Sequence, residues 1–224
     1  MTITILTLFP QMFTGPFDHS IIKRAQATKK VTIHFINIRN FALDRYKSVD
    51  DHPYGGGHGM IMRVDVIDRA LSSIKGLTHK ILLDPHGARY TQKKAKALSK
   101  LQHIVLVCGH YEGIDERSRS LVDEEISIGD YVLTGGEIPA MAIVDSVVRL
   151  IPGVLAKSEA VTQESFSLDP DYLEHPQYTR PARHESLSVP EVLLSGDHKK
   201  IAAWKKEKAL RRKRVSLGNR SRTG

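Results

Sequence analysis

Two turns in the middle of this chain have the make-up of a small-molecule cradle. Cys108–Gly113 reads CGHYEG, and Ile128–Gly136 reads IGDYVLTGG. Glycine has no Cβ, so backbone containing it can bend tightly or come close to a ligand. The turns hold Tyr111, Glu112, Asp130 and Tyr131, and they suggest a pocket that grips a small molecule largely by main-chain groups. On glycines alone, two ordinary loops of an α/β domain fit as well. A third stretch, Tyr54–Gly59 (YGGGHG), matches neither the dinucleotide fingerprint nor a P-loop, because the lysine and the spacing are absent. Flanked by Asp50, Asp51 and Arg63, it reads as a candidate substrate loop or a plain flexible one. His52 and His58 lack partners at metal-ligand spacing, and no cysteine accompanies them, so no metal site is expected.

The elements that must position these turns follow from the apolar pattern. Ile3–Phe9 and Val31–Ile38 alternate like strands, with a helix expected between them over Met12–Ala27. Arg45–Met60 reads as a long loop, and Val64–Ile74 has helical spacing. Lys80–Leu83 is a short strand ending at the turn signal Asp84-Pro85-His86-Gly87. Thr91–Leu101 reads as a lysine-rich helix, Ile104–Cys108 as a buried strand, and Asp115–Glu124 as a helix. Tyr131–Leu133 is expected to be a short strand, and Ile138–Leu150 a helix with an apolar face. Strands alternating with helices predict an α/β domain with a largely parallel sheet. Ligands in such sheets sit where strands end and loops begin, which is where these turns fall.

Beyond this domain the composition changes. Lys157–Gln177 is polar and has no clear period, so it reads as a linker. Ser188 is a candidate cap ahead of Pro190 and Glu191, and Asp197 a candidate cap for a helix over Lys199–Arg214. Ile201, Trp204, Ala209 and Leu210 form that helix's apolar side, leaving a basic outer face, and Ser216–Gly224 reads as frayed. Residues 199–224 hold eleven Lys/Arg against one acid, Glu207, whereas the rest of the chain has a net charge of −2. A near-neutral body with a concentrated basic end fits a polyanionic partner such as nucleic acid, or a solvated tail without one.

At 224 residues the chain can bury a full core. Its single cysteine, Cys108, excludes an intrachain disulfide and fits a reducing cytosol, so a cytoplasmic location is expected. The opening MTITILTLFPQMF has no basic run and no small-residue cleavage site, so no signal peptide is expected. The longest apolar candidate for a membrane span, Ile138–Ile151, is interrupted by Asp145 and Arg149, so no membrane partner is expected.

The order of the motifs is more specific than any one of them. LFPxMF, PYGGGxGM, PxG after a strand, CGxYEGIDER, SIGDYVLTGGEIPAM, RxIPGVL, ESF and PxYTRP follow in sequence. From Leu8 to about Arg212 the chain resembles the bacterial tRNA (guanine-N1)-methyltransferases of the SPOUT class. The resemblance implies an α/β domain over 1–156 whose largely parallel sheet contains a deep trefoil knot. It also implies a linker over 157–175, a small all-helical basic domain over 176–224 that grips tRNA, and a homodimer with active sites at the subunit interface.

The resemblance assigns the methyl donor S-adenosylmethionine to three turns, here Pro85, then Gly109, Tyr111 and Glu112, then Ser127, Ile128, Gly129, Asp130, Tyr131, Val132 and Leu133, with Gly135, Gly136 and Pro139. It implies that magnesium takes part, although no metal cluster is visible in the sequence. Guanine N1 must lose its proton to attack a methyl group, which calls for a base, and charge then develops on O6. The resemblance assigns the cation to Arg149 and the base to the acidic position of the ESF motif, Glu164, where the family carries aspartate. Ser165, Lys199, Lys205, Arg211 and Arg212 are the expected RNA contacts. Asp169 and Asp171 are alternative bases at a different spacing. The chain also has His86 and His110 where the family commonly carries Gln and Arg. A tRNA-binding relative with weak activity, or one with a shifted target, is the alternative reading.

Overall fold

A computed structural model describes residues 1–156, 161–162, 164–167 and 171–220, with side chains through residue 209. The chain divides into two compact units, Met1–Ala156 and Lys157–Gly224. In the first, the elements in chain order are β1 (Thr2–Thr7), α1 (Ser20–Ala27), β2 (Thr32–Asn37), β3 (Asp50–Asp51), β4 (Ile61–Met62), α2 (Val64–Ser72), β5 (His79–Arg89), α3 (Gln92–Leu98), β6 (His103–Cys108), β7 (Glu124–Ser127) and α4 (Glu137–Val148).

Five of these strands form one sheet in the order β2-β1-β6-β5-β7, and every pairing in it is parallel. The central strands are covered on both faces, which is why they read as near-continuous apolar runs. On one face Ile3, Ile5, Ile104, Leu106 and Cys108 pack with Ile143, Val144 and Val147 of α4. On the other, Leu6, Leu82, Val105 and Val107 pack with Val66, Ile67 and Leu71 of α2. Fully burying one such side chain is worth about 1.5–3 kcal/mol, so these two layers fix the sheet and the loops at its ends.

The departures from the sequence reading have local causes. The segment Met12–Ala27 is not one helix: a 3-10 turn, Pro10–Phe13, precedes α1. Gly15 intervenes with φ +97°, and Pro16 follows it. The polar stretch Arg45–Met60 contains part of a small ladder, since β3 and β4 pair antiparallel. The turn after Leu83 lies inside β5 as a bulge, because pairing with β7 resumes at Ala88. Only Glu116–Leu121 of the expected helix Asp115–Glu124 is helical, as a 3-10 turn, and the chain then enters β7. Polar Glu124 and Glu125 hide that strand, in which only Ile126 and Ser127 are buried. Tyr131–Leu133 is not a strand.

The second unit contains β8 (Arg183–His184) and β9 (Leu187–Ser188), α5 (Glu191–Leu194) and α6 (His198–Arg220). The antiparallel β8–β9 pair departs from an all-helical domain. Ser188 pairs in β9 rather than capping, and α5 starts after Pro190 with no side-chain cap. Asp197 does cap α6, its Oδ1 accepting from the N–H groups of Lys199 and Lys200 at 3.1 Å each. Ala209 is buried, while the side chain of Leu210 falls outside the described residues. Trp204 packs near His175 and Tyr178, with ring centroids 6.3 Å apart in both pairs. The helix continues through Ser216 to Arg220; the last four residues, also expected to fray, fall outside the described ones.

Candidate active site

The C-terminal ends of β6 and β7 and the bulge in β5 open on one edge of the sheet, where parallel sheets bind ligands. Three turns meet there around a cavity of about 190 Å³, several times the ~30 Å³ that one water occupies in the liquid. The bulge contributes Pro85, the turn after β6 contributes Gly109, Tyr111 and Glu112, and the turn after β7 contributes Ser127, Ile128 and Gly129. Tyr131, Val132, Leu133, Gly135 and Gly136 run along its side, and Pro139 of α4 closes it.

The turns are laced together by backbone. Gly136 N–H donates to the Gly109 carbonyl at 2.8 Å, and His110 and Gly135 form an isolated antiparallel bridge. Tyr90 N–H donates to the Ser127 carbonyl at 2.7 Å, and Ser127 Oγ donates to the Gly129 carbonyl at 3.0 Å. This closeness requires glycine. A Cβ on Gly136 would stand 2.6 Å from Cys108 Cα and 2.9 Å from Gly109 N, and one on Gly87 would stand 2.4 Å from Ile126 N. Both would meet backbone that cannot swing away.

Behind the turns lie a buried polar pair and a buried thiol. Thr7 Oγ1 donates to Glu137 Oε1 at 2.6 Å. Burial and, secondarily, the neighbouring Glu137 carboxylate push the Cys108 thiol well above its usual range. The bulge is fixed by charge as well. Burial would raise the Asp84 carboxyl, but hydrogen bonds from the His86 N–H and imidazole, with the field of Arg119, hold it below its ordinary value of 3.8. Arg119 also pairs with Glu125 and with Glu116 at 2.8 Å, joining bulge, 3-10 turn and β7. At the rim, Tyr111 has φ +60°, and its hydroxyl accepts from Arg39 at 3.3 Å.

Asp130 stands apart from its neighbours in the sequence. It is absent from the cavity wall, and its side chain is 88% exposed and pairs with Arg89 at 3.4 Å. The sequence reading missed Leu83, Asp84, Ile114, Ile126 and Thr134, all of which line the cavity. Leu83 carried an available signal, as the last apolar residue before the Asp84–Gly87 turn, since ligands sit where parallel strands give way to loops. Ile126 carried none, because its polar neighbours hide the strand it belongs to.

Residues 1–219 match the family profile of tRNA (guanine-1)-methyltransferase TrmD. The curated relatives agree. The chain is 55% identical to the tRNA (guanine-N(1)-)-methyltransferase of Carboxydothermus hydrogenoformans, over 94% of this chain and 83% of the relative. It is 52% identical to that of Syntrophomonas wolfei over 95% and 86%, and 52% identical to that of Anoxybacillus flavithermus over 95% and 88%. The chain belongs to the TrmD family. It is thus a member of a family of tRNA methyltransferases, with a mostly parallel five-stranded sheet flanked by helices.

The remaining residues singled out for this family lie in both units. Arg149 caps the C-terminus of α4 in helical conformation, half-buried. Glu164 and Ser165 lie in the second unit in a folded turn. Phe166 N–H donates to the Tyr172 carbonyl at 2.7 Å, and Ser165 Oγ accepts from Glu174 N–H at 3.2 Å. Asp169 falls outside the described residues, whereas Asp171 lies among them, in a turn. Lys199 and Lys205 are exposed on α6; the side chains of Arg211 and Arg212 are beyond the described ones. Among the described residues no three His, Cys, Asp or Glu converge to hold a metal ion, and no helix is long and apolar enough to cross a membrane.

Proposed function

We propose that this chain is a cytoplasmic, homodimeric enzyme of the knotted SPOUT type, methylating N1 of the guanosine immediately 3′ of the tRNA anticodon (guanosine 37). The methyl donor is S-adenosylmethionine. The observation that carries this reading is the backbone-walled cavity assembled from the most family-specific blocks of the sequence. Main-chain donors and acceptors of the three glycine-bearing turns suit the edge of a purine. Ile126, Leu133 and Pro139 give it apolar walls, and the Glu112 carboxylate on its wall suits a cation.

When bound, S-adenosylmethionine supplies an electrophilic methyl group on a sulfonium. The chain's own residues supply the rest. Glu164 accepts the guanine N1 proton, which frees the lone pair that attacks. Arg149 stabilises the negative charge that spreads to O6. The two roles belong to different subunits, so each active site is complete only in the dimer. Lys199 and Lys205, with Arg211 and Arg212, hold the tRNA backbone, and Ser165 contacts the RNA beside Glu164. The described residues do not assemble a magnesium site, and no step here passes through one.

The test is methyl transfer from labelled S-adenosylmethionine to an unmodified tRNA transcript. Transfer is expected with guanosine 3′ of the anticodon and not with adenosine there. Transfer at another position would establish a shifted target, and tRNA binding without transfer would establish the weak-activity reading favoured by the extra methylene of Glu164. Light scattering checks the dimer. Arg149→Ala mixed with Glu164→Ala under subunit exchange is expected to regain activity that neither has alone.

A further inference from the structure

The glycine-rich loop between β3 and β4 has no part in the site as described, and its construction is unusual. Its root is tied to the donor-side turn: Glu112 N–H donates to the Met60 carbonyl at 3.0 Å, Met62 N–H to the Gly113 carbonyl at 2.9 Å, and Asp115 N–H to the Met62 carbonyl at 3.0 Å. A Cβ on Gly59 would stand 2.4 Å from Glu112 Cγ, so loop and cavity wall interlock there. The tip is the opposite. Gly55, Gly56 and Gly57 have φ of +86°, +80° and +137°, and a Cβ on Gly55 or Gly56 would meet nothing within 4 Å. Glycine is required there by backbone shape alone.

This tip presents Tyr54, whose side chain is 100% exposed. The ring therefore adds nothing to folding. Among the described residues, the N–H groups of Gly55, Gly57, His58 and Gly59 donate to no protein acceptor. Arg117, clamped by Asp115 at 2.6 Å and 69% exposed, follows directly on the Asp115–Met62 tie that anchors the loop's root. A free aromatic face, unpaired backbone donors and a cation together match a single-stranded nucleotide, with its flat base and its phosphate.

We infer that the loop Tyr54–Gly59 is a nucleotide-docking arm, with Tyr54 stacking on an unpaired base next to the methylated guanosine. The inference rests on the tRNA reading above and deepens it. The loop is rooted in the wall of the donor cavity, so a strand that delivers one base to the cavity brings the next base to the arm. Stacking tolerates any base, so the arm adds affinity and positioning rather than sequence discrimination.

The experiment uses the full chain with a tRNA transcript carrying 2-aminopurine in the anticodon loop beside the target guanosine. Stacking on Tyr54 is expected to quench its fluorescence on binding. Tyr54→Ala should lose that quenching and raise the KM for tRNA by at least about five-fold, with S-adenosylmethionine affinity unchanged. Tyr54→Trp should restore both. An unchanged KM and unchanged quenching in Tyr54→Ala would overturn the inference. So would an equal loss of donor affinity, which would mean the ring supports the cavity. Quenching by the wild-type chain that depends on Tyr54, without any methyl transfer, would uphold the arm while removing the proposed reaction.

Discussion

Under the function proposed above, the cavity and the second unit solve recognition in opposite ways. The cavity is framed by main chain: three turns joined by backbone hydrogen bonds, with Gly87 and Gly136 where any side chain would strike backbone. The second unit depends on side-chain chemistry: the Glu164 carboxyl in a short turn, and lysines exposed along α6. A main-chain site changes little when side chains vary, but fails when space is lost. A side-chain site accepts changes of shape, but fails when charge or basicity is lost.

The sharpest way to break this contrast is to fill the cavity wall. Gly136→Ala is expected to abolish S-adenosylmethionine binding by calorimetry, because its Cβ would lie 2.6 Å from Cys108 Cα. Gly129→Ala is the control. Its Cβ would meet the Tyr131 ring at 2.3 Å, but Tyr131 is 55% exposed and can turn away, so donor affinity should fall far less. Equal losses at the two positions would show that backbone contact is not what decides. In the second unit, Glu164→Gln keeps shape and removes basicity. It should cost about 10²–10⁴-fold in turnover with donor affinity unchanged, and Glu164→Asp should keep activity. If Asp171→Asn is the inactive variant instead, the base lies further along the turn.

A smaller and more graded effect is expected from α6. Removing the chain after Asp197 should weaken tRNA binding and flatten its dependence on salt, because fewer counterions are released from phosphates. Donor binding should survive. The smallest effect concerns the sheet edge, where Glu124 bonds His79 at 2.8 Å and also Lys94. Burial would raise the Glu124 carboxyl, but those two partners hold it below its ordinary value of 4.5. A depressed carboxyl stabilises the fold fully above its unfolded value and loses that contribution as pH falls through the folded one. The Tm of Glu124→Gln should therefore depend less steeply on pH below about 4.5 than that of the wild type.

The same contrast explains what could be read in advance. The core strands were legible because burial on both faces leaves unbroken runs such as Ile104–Cys108. The cavity turns were legible because glycine marks close approach. The strand β7 was not, since its outward Glu124 and Glu125 serve ion pairs rather than a period. The bulge in β5 was not either: Asp84-Pro85-His86-Gly87 is a turn by local chemistry, and only pairing with β7 makes it an interruption of one strand. Ser188 has capping chemistry but is used in a ladder, a choice set by tertiary pairing. Asp130, placed by its motif in the cavity, is turned outward to Arg89. The resemblance carried Arg149 and Glu164, whose spacing in the sequence, taken alone, signals no chemistry.

The lone cysteine, packed beside the Gly109–Gly136 contact, makes that contact a clock. Cys108 is fully buried, and its surroundings push its thiol pKa up, so a thiol-specific alkylating reagent can modify it only after the packing over it opens. Its labelling rate therefore times the unlatching of the Gly109–Gly136 contact, with no engineered probe. A bound donor should slow that rate in proportion to its occupancy.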